Sequence, residues 1–352
     1  MKYALTAFCS LLAICWLPAS AELAMAKVGE YPFSVDGCGA IVYSGASNLF
    51  YVVRDHGDDG KSKVYPLTLG IDADTGAILS QKVGEPFTPG ENRDSEGVAF
   101  DAASGRIWLA DESGKPTVAE FDLSGKPSGR AIELPEVQKK FCRSNLSLES
   151  LAMSPDGLTM WTANEQALTC DGPSSNGSTN IETVVRLTRY RRTAADGSWS
   201  AAGEWAYACD ACVGLASSQS GLSGLCALPD GSLLTLEREI SVATMGRCRI
   251  YRLTPSAIKA ATDVSGMPAL TNATFSAVGK GSCLLDFHGS NLAEMIVYEG
   301  IALGPVLKDG SRAVYLVSDG GNSITRTIMG FTVTAKTASR LCALRLYTVS
   351  SD

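Results

Sequence analysis

Histidine is nearly missing from this chain: its 352 residues hold two, His56 and His288. A Ser-His-Asp triad would have to use one of these two loop histidines, which leaves little room for nucleophilic catalysis of that kind. The neighbouring motifs do not help. In Arg54-Asp55-His56-Gly57 the aspartate breaks the Arg-His-Gly order of a histidine nucleophile. In Gly221-Leu222-Ser223-Gly224-Leu225 a leucine stands where a nucleophile elbow ends on glycine. No glycine-rich loop of the Walker type is present to cradle phosphates. There is no basic stripe either. Acidic residues number 37 against 30 basic ones, a formal net charge of -7, which excludes nucleic acid and anionic membrane as partners.

Long apolar runs are also lacking. The one apolar run of note, Tyr3 to Leu17, is too short to span a bilayer. With Lys2 before it and Ala19-Ser20-Ala21 after it, it reads as a secretory signal peptide over 1–21, cut before Glu22. Ile14, where a lipoprotein site wants a small residue, argues against a lipid on Cys15. The expectation is an exported chain, periplasmic or secreted, forming one monomeric domain over 22–352. Helical signals are confined to Leu134–Phe141 and Pro255–Ala261, the second with Pro and Ser at its start. Everything else is short strands between Gly, Asp, Ser and Pro turns, an all-β pattern. Asp72-Ala73-Asp74-Thr75-Gly76 has the opening of a calcium loop but lacks its later ligands, so it reads as a turn.

What the chain does have is a repeated hairpin. Glu299-Gly300-Ile301-Ala302-Leu303 leads through a turn to Val314-Tyr315-Leu316-Val317-Ser318-Asp319. The same pattern runs from Glu96 to Asp111-Glu112, from Glu149 to Asn164-Glu165, from Ser223 to Glu237, and from Gly39 to Arg54-Asp55. The start of one antiparallel strand and the end of the next share an edge. The acids of each copy therefore belong to one rim. Copies start at 39, 96, 149, 223 and 299, at intervals of 57, 53, 74 and 76 residues. Repeats of this kind mark a β-propeller, whose units cannot bury their own faces alone. The two long intervals leave room for loop insertions or for a blade whose motif has decayed; six blades are expected, with five or seven also allowed.

In a propeller the candidate residues Asp55, Glu96, Glu112, Glu149, Glu165, Glu237, Glu299 and Asp319 converge on one mouth of the central channel. Crowded carboxylates raise one another's pKa unless a cation or arginines neutralise them. Arg54, Arg93, Arg143 and Arg238 lie beside these acids in sequence, and Ca²⁺ is the natural hard cation for an exported protein. The bland alternative is that each acid pairs with a nearby arginine or caps a turn.

Nine cysteines follow residue 21, at 38, 142, 170, 209, 212, 226, 248, 283 and 342. An oxidising compartment favours pairing, and an odd number leaves at least one thiol over. Cys142 and Cys170 flank the third hairpin near its acidic rim and are expected to form a disulfide. Cys209-x-x-Cys212 lacks the βαβ setting of a redox motif and reads as a loop staple. Cys226 reads as a plain core thiol.

Five segments together carry a resemblance: Asp94-Ser95-Glu96-Gly97-Val98-Ala99, Arg143 to Ala152, Gly221 to Leu225, Leu236-Glu237-Arg238 and Glu299 to Pro305. Over about residues 33 to 334 the chain resembles the phytase-like family, labelled "esterase-like activity of phytase". The resemblance implies an exported bacterial propeller that hydrolyses esters, phosphate esters included. By analogy with calcium-dependent propeller phytases, it also implies acids that hold Ca²⁺ against substrate phosphates. The first copy departs from the pattern, with Cys38-Gly39 in place of Leu-Ser.

The expected function is thus metal-assisted hydrolysis of a small-molecule ester or phosphate ester. Arg143 or Arg238 would stabilise the developing charge. The second reading is a non-enzymatic propeller that holds a ligand or partner at the same mouth, since fold alone cannot choose.

Overall fold

The computed structural model describes residues 22–55, 60–90, 93–113, 115–178, 181–212, 214, 218–241, 244–288, 294–328 and 331–349. The expected signal peptide and His56 lie outside the described residues. After a first strand, β1 (Leu23–Pro32), the chain winds four antiparallel blades in order. Blade I is β2 (Cys38–Tyr43), β3 (Leu49–Arg54), β4 (Lys63–Ile71) and β5 (Ile78–Val83). Blade II is β6 (Ser95–Asp101), β7 (Arg106–Asp111), β8 (Thr117–Phe121) and β9 (Pro127–Ile132). A short helix, α1 (Glu136–Phe141), leads to blade III: β10 (Leu148–Met153), β11 (Thr159–Asn164), β12 (Thr183–Arg191) and β13 (Ser200–Cys209). Blade IV is β14 (Gln219–Ala227), β15 (Leu233–Ile240), β16 (Arg247–Leu253) and, after α2 (Pro255–Ala260), β17 (Cys283–His288).

Blade V closes the ring. A two-residue strand, β18 (Glu294–Met295), comes first. The blade itself is β19 (Val297–Val306), β20 (Arg312–Asp319) and β23 (Arg340–Thr348), with β1 as its outermost strand. The N-terminal strand thereby pairs with the C-terminal one, Leu23 opposite Thr348 and Pro32 opposite Arg340. Between β20 and β23 a hairpin of β21 (Ser323–Ile328) and β22 (Phe331–Thr337) joins β18 in a small separate sheet. The innermost strands β2, β6, β10, β14 and β19 touch one another in a closed cycle. Among the described residues no helix is long and apolar enough to cross a membrane.

The propeller therefore has five blades, not six. The residues that suggested a sixth are spent on two excursions that pack against each other. One joins β11 to β12, and the other is the stretch 261–282 before β17. Buried Arg186 ties them: its Nε donates to Asp171 at 2.7 Å and its Nη2 to the Met267 carbonyl at 3.0 Å. The Leu270 amide donates to the same aspartate at 2.8 Å. The Asp72 segment is a turn between β4 and β5, as expected, its Oδ1 accepting from the amides of Asp74 and Thr75.

The second strand of each blade is apolar on both faces because each face meets a neighbouring blade. Phe50 and Val52 of β3 pack with Tyr315 and Val317 of blade V, while Tyr51 and Val53 pack with Ile107 and Leu109 of blade II. Trp108 and Ala110 then meet Leu148 and Leu151 of blade III. Trp161 and Tyr207 meet Leu222 and Leu225 of blade IV. Leu234 and Leu236 meet Leu316 and Leu344 of blade V. The core is thus five wedges between blades. Trp108, fully buried, fills one of them. Replacing it with alanine should lower stability by about 3–5 kcal/mol through the cavity left between blades II and III. Urea unfolding of Trp108→Ala measures this.

The expected disulfide is not formed. Cys142 and Cys170 are both free thiols. Their chain segments do adjoin, since the Thr169 amide donates to the Phe141 carbonyl at 2.9 Å. The side chains diverge: the Cys142 Sγ turns to the Lys139 carbonyl at 3.8 Å and the Cys170 Sγ to Asp171 at 3.5 Å. Cys209 and Cys212 are also unpaired and fully buried, Cys212 lying 3.2 Å from the Ser175 hydroxyl. Cys226 sits in the wedge between blades IV and V as a core thiol. Alkylation of the native protein should label exposed Cys283 first and half-buried Cys142 and Cys170 more slowly. The six buried thiols should react only on unfolding, a pattern that peptide mapping resolves.

Candidate functional site

Each innermost strand carries an extra residue at one common level. Pairing between β6 and β7 passes from Ser95 opposite Asp111 to Gly97 opposite Ala110, so Glu96 has no partner across the ladder. The same skip leaves out Glu149 in β10, Ser223 in β14, Glu299 in β19 and Gly39 in β2. These are β-bulges, which re-aim a side chain. Here they stand at the same level of five strands and bring their residues to the axis. The bore is lined by the skipped residue of each strand and the two after it, and has room for little more than a water molecule or a bare ion.

The residue after each bulge is small: Ala40, Gly97, Ser150, Gly224 and Gly300. It has to be, because the next innermost strand is so close. A Cβ on Gly97 would lie 2.9 Å from the Leu151 Cβ, and one on Gly300 2.8 Å from the Ile41 nitrogen. Gly39 has a different use. A Cβ there would stand 2.0 Å from Glu96 Oε2, so the missing side chain of the first copy is the space its neighbour's carboxylate fills.

Three glutamates result. Glu96, Glu149 and Glu299 are buried, and each offers a carboxylate oxygen within 4.8 Å of the other two. Glu96 also belongs to a second group of the same closeness with Asp55 and Asp94. Around them stands the ring made, in each second strand, by the residue one past the partner of the residue before the bulge: Asp55, Glu112, Glu165, Arg238 and Asp319. The Arg238 guanidinium donates to Glu299 at 2.5 Å and to Glu165 at 2.8 Å, and it lies 3.6 Å from Glu149. Glu112 Oε2 accepts from the Ser147 amide at 2.9 Å. Asp319 accepts from the Asn322 side chain at 3.3 Å.

Two sequence candidates lie elsewhere. Glu237 faces away from the mouth, because one residue along a strand is the opposite face. It accepts from the Tyr207 hydroxyl at 2.5 Å and the Asp210 amide at 2.9 Å, and it pairs with Lys280 at 2.6 Å. Arg238, next to it, takes the ring position. Glu237 is the acid that ends the apolar run from Leu233, one residue short of the ring place. Met160, paired with Met153, leads five residues on to Glu165, and Leu233, paired with Ala227, leads five residues on to Arg238. Arg143 is spent on backbone, donating to the carbonyls of Ala167 and Gly172, both at 2.7 Å. Asp94 was missed as a candidate; its signal is its place two residues before Glu96. Of the other neighbouring arginines, Arg93 pairs with Asp111 at 3.0 Å. His288 stands on β17, the outermost strand of blade IV, far from the axis.

Burial and mutual repulsion govern the charges here. Burial above all, then the neighbouring acids, pushes the carboxyls of Glu96, Glu149 and Glu299 well above the usual range. Arg238 offsets part of this for Glu149 and Glu299. Burial raises Glu165 and Asp319 as well, with Arg238 again opposing. Burial takes Glu112 up to about 7, against the pull of the Ser147 amide. Burial disfavours the charge of Arg238, but Glu165, Glu299, Glu149 and Asp319 outweigh it and hold the guanidinium protonated. Such a site can hold a proton near neutrality, or a hard cation among oxygen donors.

Carboxyls raised in the folded state stabilise it fully below their unfolded pKa, and that contribution is lost as pH rises through the folded value. For Glu112 the window runs from 4.5 to about 7, worth up to about 3 kcal/mol. In chelator the melting temperature should therefore fall from pH 5 to pH 8. Glu112→Gln should flatten the fall, which scanning calorimetry across that range would show.

Fold and site together define a five-bladed propeller with a carboxylate mouth on its axis. The sequence model of the phytase-like family, described as "Esterase-like activity of phytase", matches residues 34–320, and the chain belongs to that family. No curated protein matches it. Among solved structures, the tail fiber of Staphylococcus aureus phage P68 aligns with 95% of this chain at 12% identity and a TM-score of 0.38. The chain spans 54% of that protein's length, and a likeness so slight says nothing of function.

Proposed function

We propose that the protein is an exported, monomeric hydrolase of small-molecule esters, phosphate esters among them, assisted by a divalent cation at the axial mouth. The observation that carries the proposal is the convergence of Glu96, Glu149 and Glu299, with oxygens within 4.8 Å of one another, in a chain of this family. The donor set fits a hard cation such as Ca²⁺: it is all carboxylate oxygen, and it carries more negative charge than Arg238 offsets. Glu96, Glu149 and Glu299 would hold the cation, with Asp55 and Asp94 adjoining through Glu96. Bound there, it would supply a Lewis acid and a counter-charge for the anionic oxygens of the substrate.

The chain's own groups do the rest. The narrow bore admits no ester, so the substrate stays at the mouth with its reacting oxygen towards the glutamates. Glu112, with one oxygen fixed by the Ser147 amide, is placed to orient a water and take its proton. Arg238 is the one guanidinium of the ring and the donor for charge developing at the reacting centre. Arg143 is directed to backbone instead, its Nε and Nη2 donating to the Ala167 and Gly172 carbonyls.

The narrowness of the bore also favours a second reading, a non-enzymatic propeller that holds a ligand or partner on the mouth. Generic phosphate and acyl esters, offered with Ca²⁺ and with chelator, separate the two. The hydrolase reading expects turnover that chelator abolishes. It also expects calcium to raise the melting temperature, since binding to the native state alone adds about 2.7 kcal/mol at a hundred times Kd. A calcium response without turnover selects the binding propeller. No response of either kind ends the cation proposal.

A further inference from the structure

The mouth already contains a cation of its own. Arg238 fills, in blade IV, the ring place that acids fill in the other four blades. It contacts Glu299, Glu165 and Glu149. Two of these, Glu149 and Glu299, are also two of the three carboxylates that would hold a divalent ion. Arg238 and that ion therefore draw on the same oxygens. Glu96, the third carboxylate, makes no ion pair with Arg238 among the described residues, so the guanidinium neutralises the triad only in part.

A second, independent observation bears on where Arg238 could go. Glu165 is 2% exposed, and its Oε1 accepts from Arg238 while its Oε2 is buried with no hydrogen-bond partner. The Nε of Arg238 is likewise buried and unpartnered. An unmet acceptor and an unmet donor inside one ion pair mark an arrangement that is not the only one the residues can adopt. A carboxylate and a guanidinium satisfy each other best as a fork, with two parallel bonds. Glu165 and Arg238 have the free atoms to close that fork once Arg238 lets go of Glu299. Asp319 stands near enough to add its charge.

We propose that Arg238 is a tethered competitor for the divalent-cation site: the ion and the guanidinium hold Glu149 and Glu299 alternately. When the ion enters, Arg238 closes the fork with Glu165, beside Asp319, and the Nη1 it withdraws from Glu299 becomes free to donate to the substrate. The affinity of the site is then set by this exchange as well as by the ligands themselves. This rests on the cation reading above and adds a residue that opposes the cation.

The test is calcium titration of the chelator-treated full chain by calorimetry, with melting temperature as a second readout. Arg238→Gln should bind Ca²⁺ at least about tenfold more tightly than wild type, because a competing positive charge close to the ligands is gone. Arg238→Lys keeps the charge but reaches fewer carboxylates, so it should fall between the two. Glu165→Gln, which removes the charge Arg238 retreats to, should bind more weakly than wild type. Equal or weaker calcium binding by Arg238→Gln overturns the proposal. If that variant does not fold, the sign of the change in Arg238→Lys decides. Wild type silent to calcium while Arg238→Gln binds it would support the competition and refute the cation-dependent function. Silence from both would end both.

Discussion

The constraint on which this molecule turns is electrostatic: three carboxylates held within 4.8 Å of one another and out of water. Charges so placed repel strongly, and burial removes the solvent that would screen them. Such a group persists only if something offsets the charge. Protons do so at low pH, which is why the carboxyls are raised. Arg238 does so in part at any pH. A divalent cation is the third means. The blades supply the opposing stability, through five apolar wedges that none of the mouth's charged residues enters.

The bulges connect these two halves. A regular strand alternates its faces, and in a blade both faces go to neighbouring blades. The charged side chains of the innermost strands reach the axis where the alternation is broken, and all five strands break it at one common level, at Gly39, Glu96, Glu149, Ser223 and Glu299. The packing that stabilises the ring is thereby left to the residues on either side.

Much of this was legible in the sequence because an acid followed by a small residue and an apolar pair recurs at three of the five bulges that meet the axis. Glu96, Glu149 and Glu299 followed directly. The number of blades did not. Intervals of 74 and 76 residues record loop length as well as blades, and the excursions tied by Arg186 use non-local bonds to Asp171 and Met267. Arg238 was hidden because Glu237, an acid, ends the same apolar run one residue earlier. Arg143 sits beside the acidic motif in sequence, but its donors are taken by carbonyls more than twenty residues on. The thiols of Cys142 and Cys170 show the same limit: adjoining segments do not fix where two side chains point.

The pairing of Leu23 with Thr348 ties the making of the mouth to the making of the whole. Glu96, Glu149, Glu299 and Arg238 come from four different blades, and the cycle of innermost strands closes where β19 meets β2, in the blade that the first and last strands of the chain share. With the ring open, the carboxylates would remain hydrated and ordinary. The unusual chemistry of the mouth is thus a property of closure. It proofreads the fold, because a chain that stops short or fails to clasp has no half-strength site to offer.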